Sequence, residues 1–175
     1  MDELSIIRAA RKNPKVFGEL YKLYVNQVFR YLYSRIGNVH EAEDITAQTF
    51  LAAFESFDKF RKDGRFASWL FTIARNKAMD TFRQRKNISS VDEMPDIPGE
   101  ADPMYEVIQS EQTADLSKLI QALPEEDREL LRLRYLANMS FPEIAHLLHR
   151  NEAAVKKTIY RSLARLQSQL EVSNE

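Results

Sequence analysis

Across residues 17–36, apolar side chains return every third or fourth position for about five helical turns: Phe17, Leu20, Tyr21, Tyr24, Val25, Val28, Phe29, Leu32 and Ile36. A stripe of this period can be buried only along one side of an α-helix, so the segment must be helical and must find a partner face. Gly37 supplies a residue that ends such a helix, and Asn38, with Glu41 three positions on, can cap the start of the next. That second helix carries Ala42, Ile45, Thr49, Phe50, Ala53, Phe54 and Phe57 along its apolar side. Lys62-Asp63-Gly64-Arg65 reads as a turn. A third long helix follows, with Phe66, Trp69, Leu70, Ile73, Ala74, Ala78 and Phe82 on one face, and a shorter one before Pro14 rests on Leu4, Ile7 and Ala10.

The pattern breaks where Pro95, Pro98, Gly99 and Pro103 crowd a stretch with few large apolar residues, which reads as a linker. Helical spacing resumes over 107–123. Pro124 then stands in the first turn of a helix over 125–136, led by the acids Glu125, Glu126 and Asp127 that favour a helix N-terminus. Ser140 and Glu143 form a capping box for a short helix ending near His149, and Asn151 can cap a final helix over about 152–170. No strand-like alternation persists. The expected fold class is all-α: two small helical bundles joined by a flexible acidic linker, the C-terminal one holding a helix-turn-helix. The boundaries are 1–87, 88–112 and 113–175, and each bundle, though small, can enclose a core.

Composition removes several classes of chemistry. The chain has no cysteine, so disulfides, zinc-thiolate sites and thiol nucleophiles are excluded. Its start, Met1-Asp2-Glu3-Leu4-Ser5, is not that of a signal peptide, and the richest apolar stretch, over 66–78, is broken by Ser68, Arg75, Asn76 and Lys77. A cytoplasmic protein without membrane insertion, metal or cofactor is expected.

Charge is unevenly spread. Between positions 59 and 86 stand nine basic residues against two acids; between 91 and 111, seven acids and no base; between 150 and 165, five basic residues against Glu152. Two cationic blocks suit two surfaces for a polyanion, although solvated helix faces carry such charges too. In the C-terminal block, Ile144, Ala145, Leu148, Val155, Ile159 and Leu163 can pack two helices across His149-Arg150-Asn151. Lys156, Lys157, Tyr160 and Arg161 then lie on the opposite face of the second helix, as in a helix-turn-helix whose second helix enters the major groove. An ordinary helical hairpin with a charged outer face is the alternative. The other basic block interleaves Phe54, Phe57, Phe60, Phe66 and Trp69 with Lys59, Arg61, Lys62, Arg65, Arg75, Asn76 and Lys77, a mixture suited to single-stranded or opened DNA. Phe50, Phe54, Phe57 and Trp69 fall on helical faces and are expected in the core; Phe60 and Phe66, beside the turn, are the better base platforms.

Four segments, in this order, carry a more specific resemblance: Glu43-Asp44-Ile45-Thr46-Ala47-Gln48-Thr49-Phe50; Phe66-Ala67-Ser68-Trp69-Leu70-Phe71-Thr72-Ile73-Ala74-Arg75-Asn76-Lys77-Ala78-Met79-Asp80; Leu123-Pro124-Glu125-Glu126-Asp127-Arg128; and Ser140-Phe141-Pro142-Glu143-Ile144-Ala145. With them, nearly the whole chain apart from the linker resembles a bacterial RNA polymerase sigma factor of the extracytoplasmic function (ECF) type. The resemblance implies a non-enzymatic protein that binds core RNA polymerase and directs it to promoters. It implies polymerase docking on the β′ clamp helices through Asp44, Ile45 and Gln48, and a second contact with the β flap. It implies capture of a non-template base of the −10 element by Ser56, Phe60, Arg61, Arg65, Phe66, Asn76 and Lys77. Arg150, Lys156, Lys157, Tyr160 and Arg161 would read the −35 element as duplex, and the acidic linker would thread toward the polymerase active site. An anti-sigma factor is a further implied partner, and a stress or envelope response the implied setting.

The chain departs from the family pattern in three places. Ala47-Gln48 stands where Gln-Glu is usual; His149 where the turn usually has Gly; and Ala154 and Thr158 replace a common Thr and Arg in the recognition helix. An enzyme is the first rival reading, since Glu143 and His146 have the Glu-x-x-His spacing of di-iron bundles, but those sites need a second copy plus two further inward glutamates, and no second copy is present. His40, Glu41, Glu43 and Asp44 are explained by helix capping. A polymerase-independent helix-turn-helix regulator and a helical adaptor without a DNA role are the others.

Overall fold

The computed structural model describes residues 2–61, 65–88 and 111–173. The chain divides into two compact units, Met1–Pro98 and Gly99–Glu175. All regular structure among the described residues is helical. The stretch read as linker, 88–112, lies mostly outside the described residues, and so do 62–64 of the expected turn and 107–110 of the helix expected from Val107; Ile88 ends one helix and Glu111 begins another.

In the first unit, α1 (Glu3–Lys12), α2 (Phe17–Ile36), α3 (Val39–Glu55) and α4 (Phe66–Ile88) pack with α2 against the other three. Each start and stop has a local cause. Asp2 accepts from the Ser5 amide (3.0 Å), Asn38 accepts from the Glu41 amide (3.0 Å), and Gly37 closes α2 at φ 76°. Glu41 does not complete a capping box; its carboxylate meets Arg85 on α4 and ties the ends of α3 and α4 together. The core is filled by Leu20, Val28, Leu32, Ile36, Leu70 and Ala74, as their spacing predicts, and also by Tyr31 and Phe71. Those two rings meet edge to face at 5.5 Å, and the sequence reading placed neither of them in the core. In α1 the inward side is Ile6, Ile7 and Ala10, whereas Leu4 faces solvent. On α3 the buried Thr46 and Thr49 donate back to the carbonyls of Ala42 and Ile45, so neither hydroxyl is buried without a partner.

The second unit comprises α5 (Glu111–Gln121), α6 (Glu125–Leu131), α7 (Phe141–Leu148) and α8 (Glu152–Ser173). Pro124 precedes the first turn of α6 in an extended conformation. The helix over 125–136 is not uniform: from Arg132 it widens into a π-type turn, the Ala137 amide reaching the Arg132 carbonyl at 3.0 Å, and closes with Asn138 at φ 55°. That ending brings Met139 into the core with Leu130, Leu133, Ile144, Val155 and Ile159. Ser140 and Glu143 form a complete capping box on α7, and Asn151 accepts from the amides of Ala153 and Ala154 at the head of α8.

Candidate polymerase and nucleic-acid interfaces

In the second unit, α7 and α8 join through His149-Arg150-Asn151. The His149 amide bonds the His146 carbonyl (3.4 Å) and the Arg150 amide the Ala145 carbonyl (2.9 Å), the pairing of a Schellman ending. His149 occupies the left-handed position at φ 52°, ψ 43°, where a Cβ is unfavourable, so its departure from Gly carries the expected conformational cost. Val155, Ile159 and Ser162 face inward. Lys156, Lys157, Tyr160 and Arg161 are therefore left on the outer face, where all four are exposed, Tyr160 to 52%. Arg150 is exposed at the connection. Ala154 is exposed as well, and Thr158 half-buried.

Two contacts to this face have no signature in the sequence pattern. Asp127 of α6 accepts from the Ser162 hydroxyl (2.8 Å) and lies 3.7 Å from Arg161. Phe141 lies beside Lys156 and Tyr160. Asp127 comes from α6 and Phe141 from the head of α7, neither within a helical turn of these residues in sequence, and only the packed unit brings them there.

In the first unit, the turn leading to α4 is held by rings. Phe57, Phe60, Phe66 and Trp69 form a cluster with centroid separations of 5.1 to 6.5 Å. Phe60 is 4% and Phe66 1% exposed, so the expectation that these two serve as base platforms is corrected. Phe66 starts α4 pointing inward, and Phe60 is drawn in by the same cluster. The ordering of Phe54 also reverses. Expected in the core, it is 47% exposed and rests edge-on against Phe17 at 5.3 Å. Phe57 is buried and Trp69 half-buried. Arg11 secures the turn from α1: its guanidinium donates to the Phe60 carbonyl and lies 5.8 and 5.9 Å from the Phe57 and Phe60 ring centroids.

The polar candidates around the turn stay accessible. Arg61, Arg65 and Asn76 are exposed, Lys77 is half-buried, and half-buried Ser56 turns its hydroxyl back to the Ala52 carbonyl. On α3 the outer face carries Asp44, Ala47, Gln48 and Leu51, whereas Ile45 is 4% exposed and packs inward with Thr46 and Thr49. The helical period separates Ile45 from Asp44 and Gln48, so Ile45 lies behind the outer face that carries those two. The Glu143 carboxylate is engaged by the Ser140 amide and hydroxyl, both at 2.7 Å, as a cap, and His146 is exposed. No group of His, Cys, Asp and Glu among the described residues could hold a metal ion. None of the described helices is long and apolar enough to cross a membrane.

Residues 20–88 match the family model of sigma-70 region 2, and residues 113–166 that of sigma-70 region 4. The chain is an ECF sigma factor of the sigma-70 family. Among its relatives are BldN of Streptomyces coelicolor (34% identical over 91% of this chain and 62% of that protein) and SigM of Bacillus subtilis (30% identical, 86% and 92%). The chain thus spans about three fifths of the length of BldN and nearly all of SigM. The solved CnrH, in complex with the cytosolic domain of CnrY, matches with a TM-score of 0.65 at 25% identity, over 97% of both chains. The sigma factor RpoE of Bartonella quintana, solved with the anti-sigma factor NepR, shares the fold at TM-score 0.65 and 24% identity, over 90% of this chain and 98% of that one. Sigma factors direct promoter-specific transcription and are generally not enzymes; these matches do not favour a polymerase-independent regulator.

Proposed function

We propose that this sigma factor, itself without catalytic activity, docks on core RNA polymerase through the outer face of α3. Asp44 and Gln48 would meet the β′ clamp helices, and the C-terminal unit the β flap. The turn after α3 takes up an unpaired base of the −10 element, with Arg61, Arg65, Asn76 and Lys77 in contact and the Phe57–Phe60–Phe66–Trp69 cluster as support. The outer face of α8 reads the −35 element as duplex through Lys156, Lys157, Tyr160 and Arg161, with Arg150 on phosphate. The domains run 1–87 and 113–175, tethered by 88–112, whose acids would face the basic interior of the polymerase. We place the protein in the cytoplasm, under an anti-sigma factor, as NepR is to the solved RpoE of Bartonella quintana, in a stress or envelope response.

One observation carries this reading: the turn between α7 and α8 buries Val155 and Ile159 and leaves Lys156, Lys157 and Arg161 exposed beside Tyr160 on the second helix. Long cations on such a face reach phosphates and guanine edges, which a merely solvated helix would not require. Transcription with purified chain, sigma-free core polymerase and fragmented genomic DNA tests it, with transcript 5′ ends mapped. Discrete starts preceded by a shared pair of motifs are expected. A folded chain that does not bind core would remove the proposal.

A further inference from the structure

The outer side of the second unit bears a stack of alternating cations and rings that centres on a residue outside the recognition helix. Phe141 is the first residue of α7, and the capping box of Ser140 and Glu143 fixes where that helix begins. The Arg134 guanidinium lies 4.7 Å from the Phe141 ring centroid and donates to the Met139 carbonyl (2.8 Å). The Lys156 ammonium lies 5.8 Å from the same centroid and 5.9 Å from that of Tyr160, and the two rings are 6.0 Å apart. One ring thus serves a cation from the end of the α6 segment and two residues of α8.

We propose that Phe141 is a positioning residue for Lys156 and Tyr160, and so helps set the base preference of α8 without itself needing to touch a base. This rests on the reading of α8 as the duplex-reading helix. An exposed lysine spreads over many rotamers, and ordering it on contact with DNA costs conformational entropy. The negative face of a ring narrows that spread beforehand by attracting the ammonium. Drawing Arg134 and Lys156 to one ring also gathers like charges, an arrangement that suits a polyanion facing them.

The test uses holoenzyme assembled on bacterial core polymerase and a promoter duplex recovered by the start-site mapping. Fluorinated phenylalanines at position 141 keep the ring's shape while progressively removing its negative face. Affinity is expected to fall stepwise, by about three- to fivefold for the most fluorinated ring, as suits one exposed cation–π contact. Base preference at one or two −35 positions should relax in parallel, and Phe141→Tyr should retain both. In a Lys156→Ala background, fluorination should have no further effect. Fluorination without effect, while Lys156→Ala still weakens binding, would overturn the proposal. So would equal losses in both backgrounds, which would mark Phe141 as packing alone. If Lys156→Ala itself leaves duplex affinity unchanged, the reading of α8 fails first, and the inference with it.

Discussion

The two regions proposed to face DNA would solve opposite problems. The α7–α8 pair would present side chains to a duplex that already has its shape, so its candidate contacts are the residues its packing leaves over. Lys156, Lys157, Tyr160 and Arg161 are exposed because Val155 and Ile159 are not. The turn after α3 would instead be held ready for a base that has left its stack. It turns aromatic residues inward, and Phe57, Phe60 and Phe66 are buried together with Arg11 laid over two of them. In the first region the candidate contacts and the core lie on opposite faces of one helix; in the second, core residues shape the candidate segment.

The sharpest way to break this contrast is to remove a ring from the turn. Phe60→Ala should destabilise the first unit by about 3–4 kcal/mol, the cost of emptying a well-packed aromatic site, as read by chemical denaturation of the full chain. A loss under about 1 kcal/mol would mean that the ring is free and able to stack on a base after all. By the same logic, Arg161→Ala should barely change the unfolding transition yet weaken promoter binding by about 1–3 kcal/mol if it reads a base. The Arg161 side chain is exposed at 3.7 Å from a mostly buried Asp127, whose carboxylate keeps the Ser162 hydroxyl as a donor, so little stability rests on the pair. A stability loss as large as the binding loss would place Arg161 with the core residues and collapse the distinction.

Asn76→Ala probes the polar side of the turn. Asn76 is exposed on α4, a different helix from the one that carries Asp44 and Gln48. Open-complex formation or −10 selectivity should therefore suffer while core polymerase binding stays intact. Normal opening on matched promoters would take Asn76 out of the base-capture set.

The difference between the regions also explains how far the sequence could be read. Helix starts, stops and buried faces follow from local signals such as Asn38, Gly37, the Ser140–Glu143 box and Asn151, and these stand where their chemistry puts them. The outer face of α8 was legible because a helical period separates inside from outside. Around the turn that logic fails. Interleaved rings and cations look alike whether the rings meet bases or one another, and only packing decides that Phe60 and Phe66 go in while Phe54 stays half out. Ile45 illustrates the same limit on α3, where a contiguous motif spans both faces of the helix and only part of it can dock. Long-range partners, namely Arg11 for Phe60, Asp127 for Arg161 and Phe141 for Lys156, leave no trace in local spacing.

The connection between α7 and α8 supplies a smaller test. His149 and Asn138 both take the left-handed conformation, at φ 52° and 55°. Histidine and asparagine tolerate it better than most residues but not as well as glycine. His149→Gly should therefore stabilise the second unit by roughly 0.5 kcal/mol, the relief of the strained backbone being partly offset by the freer unfolded chain. Base preference should stay unchanged, since the turn sets where α8 starts and not what its outer face carries. A destabilised variant would mean that the imidazole makes a compensating contact.

The smallest expected effect lies at the N-terminus. Hydrogen bonds from Ser5 hold the Asp2 carboxyl below its usual value of 3.8. A carboxyl depressed in the folded state stabilises α1 above its unfolded pKa, and that contribution fades as the pH falls through the lowered folded value. Carbon-detected NMR titration of the Asp2 carboxyl should give a midpoint under 3.8, and the Ser5 amide should lose protection over the same acidic range. Asp2→Asn, which keeps a capping oxygen but cannot titrate, should remove the pH dependence and leave the helix in place. If wild type and variant fray alike on acidification, the cap is not what anchors α1, and the Tyr24–Glu3 hydrogen bond (2.6 Å) from α2 becomes the contact to test. That bond ties the start of α1 to α2, and Arg11 near the end of the same helix reaches the turn, so loosening α1 should weaken the grip on Phe60.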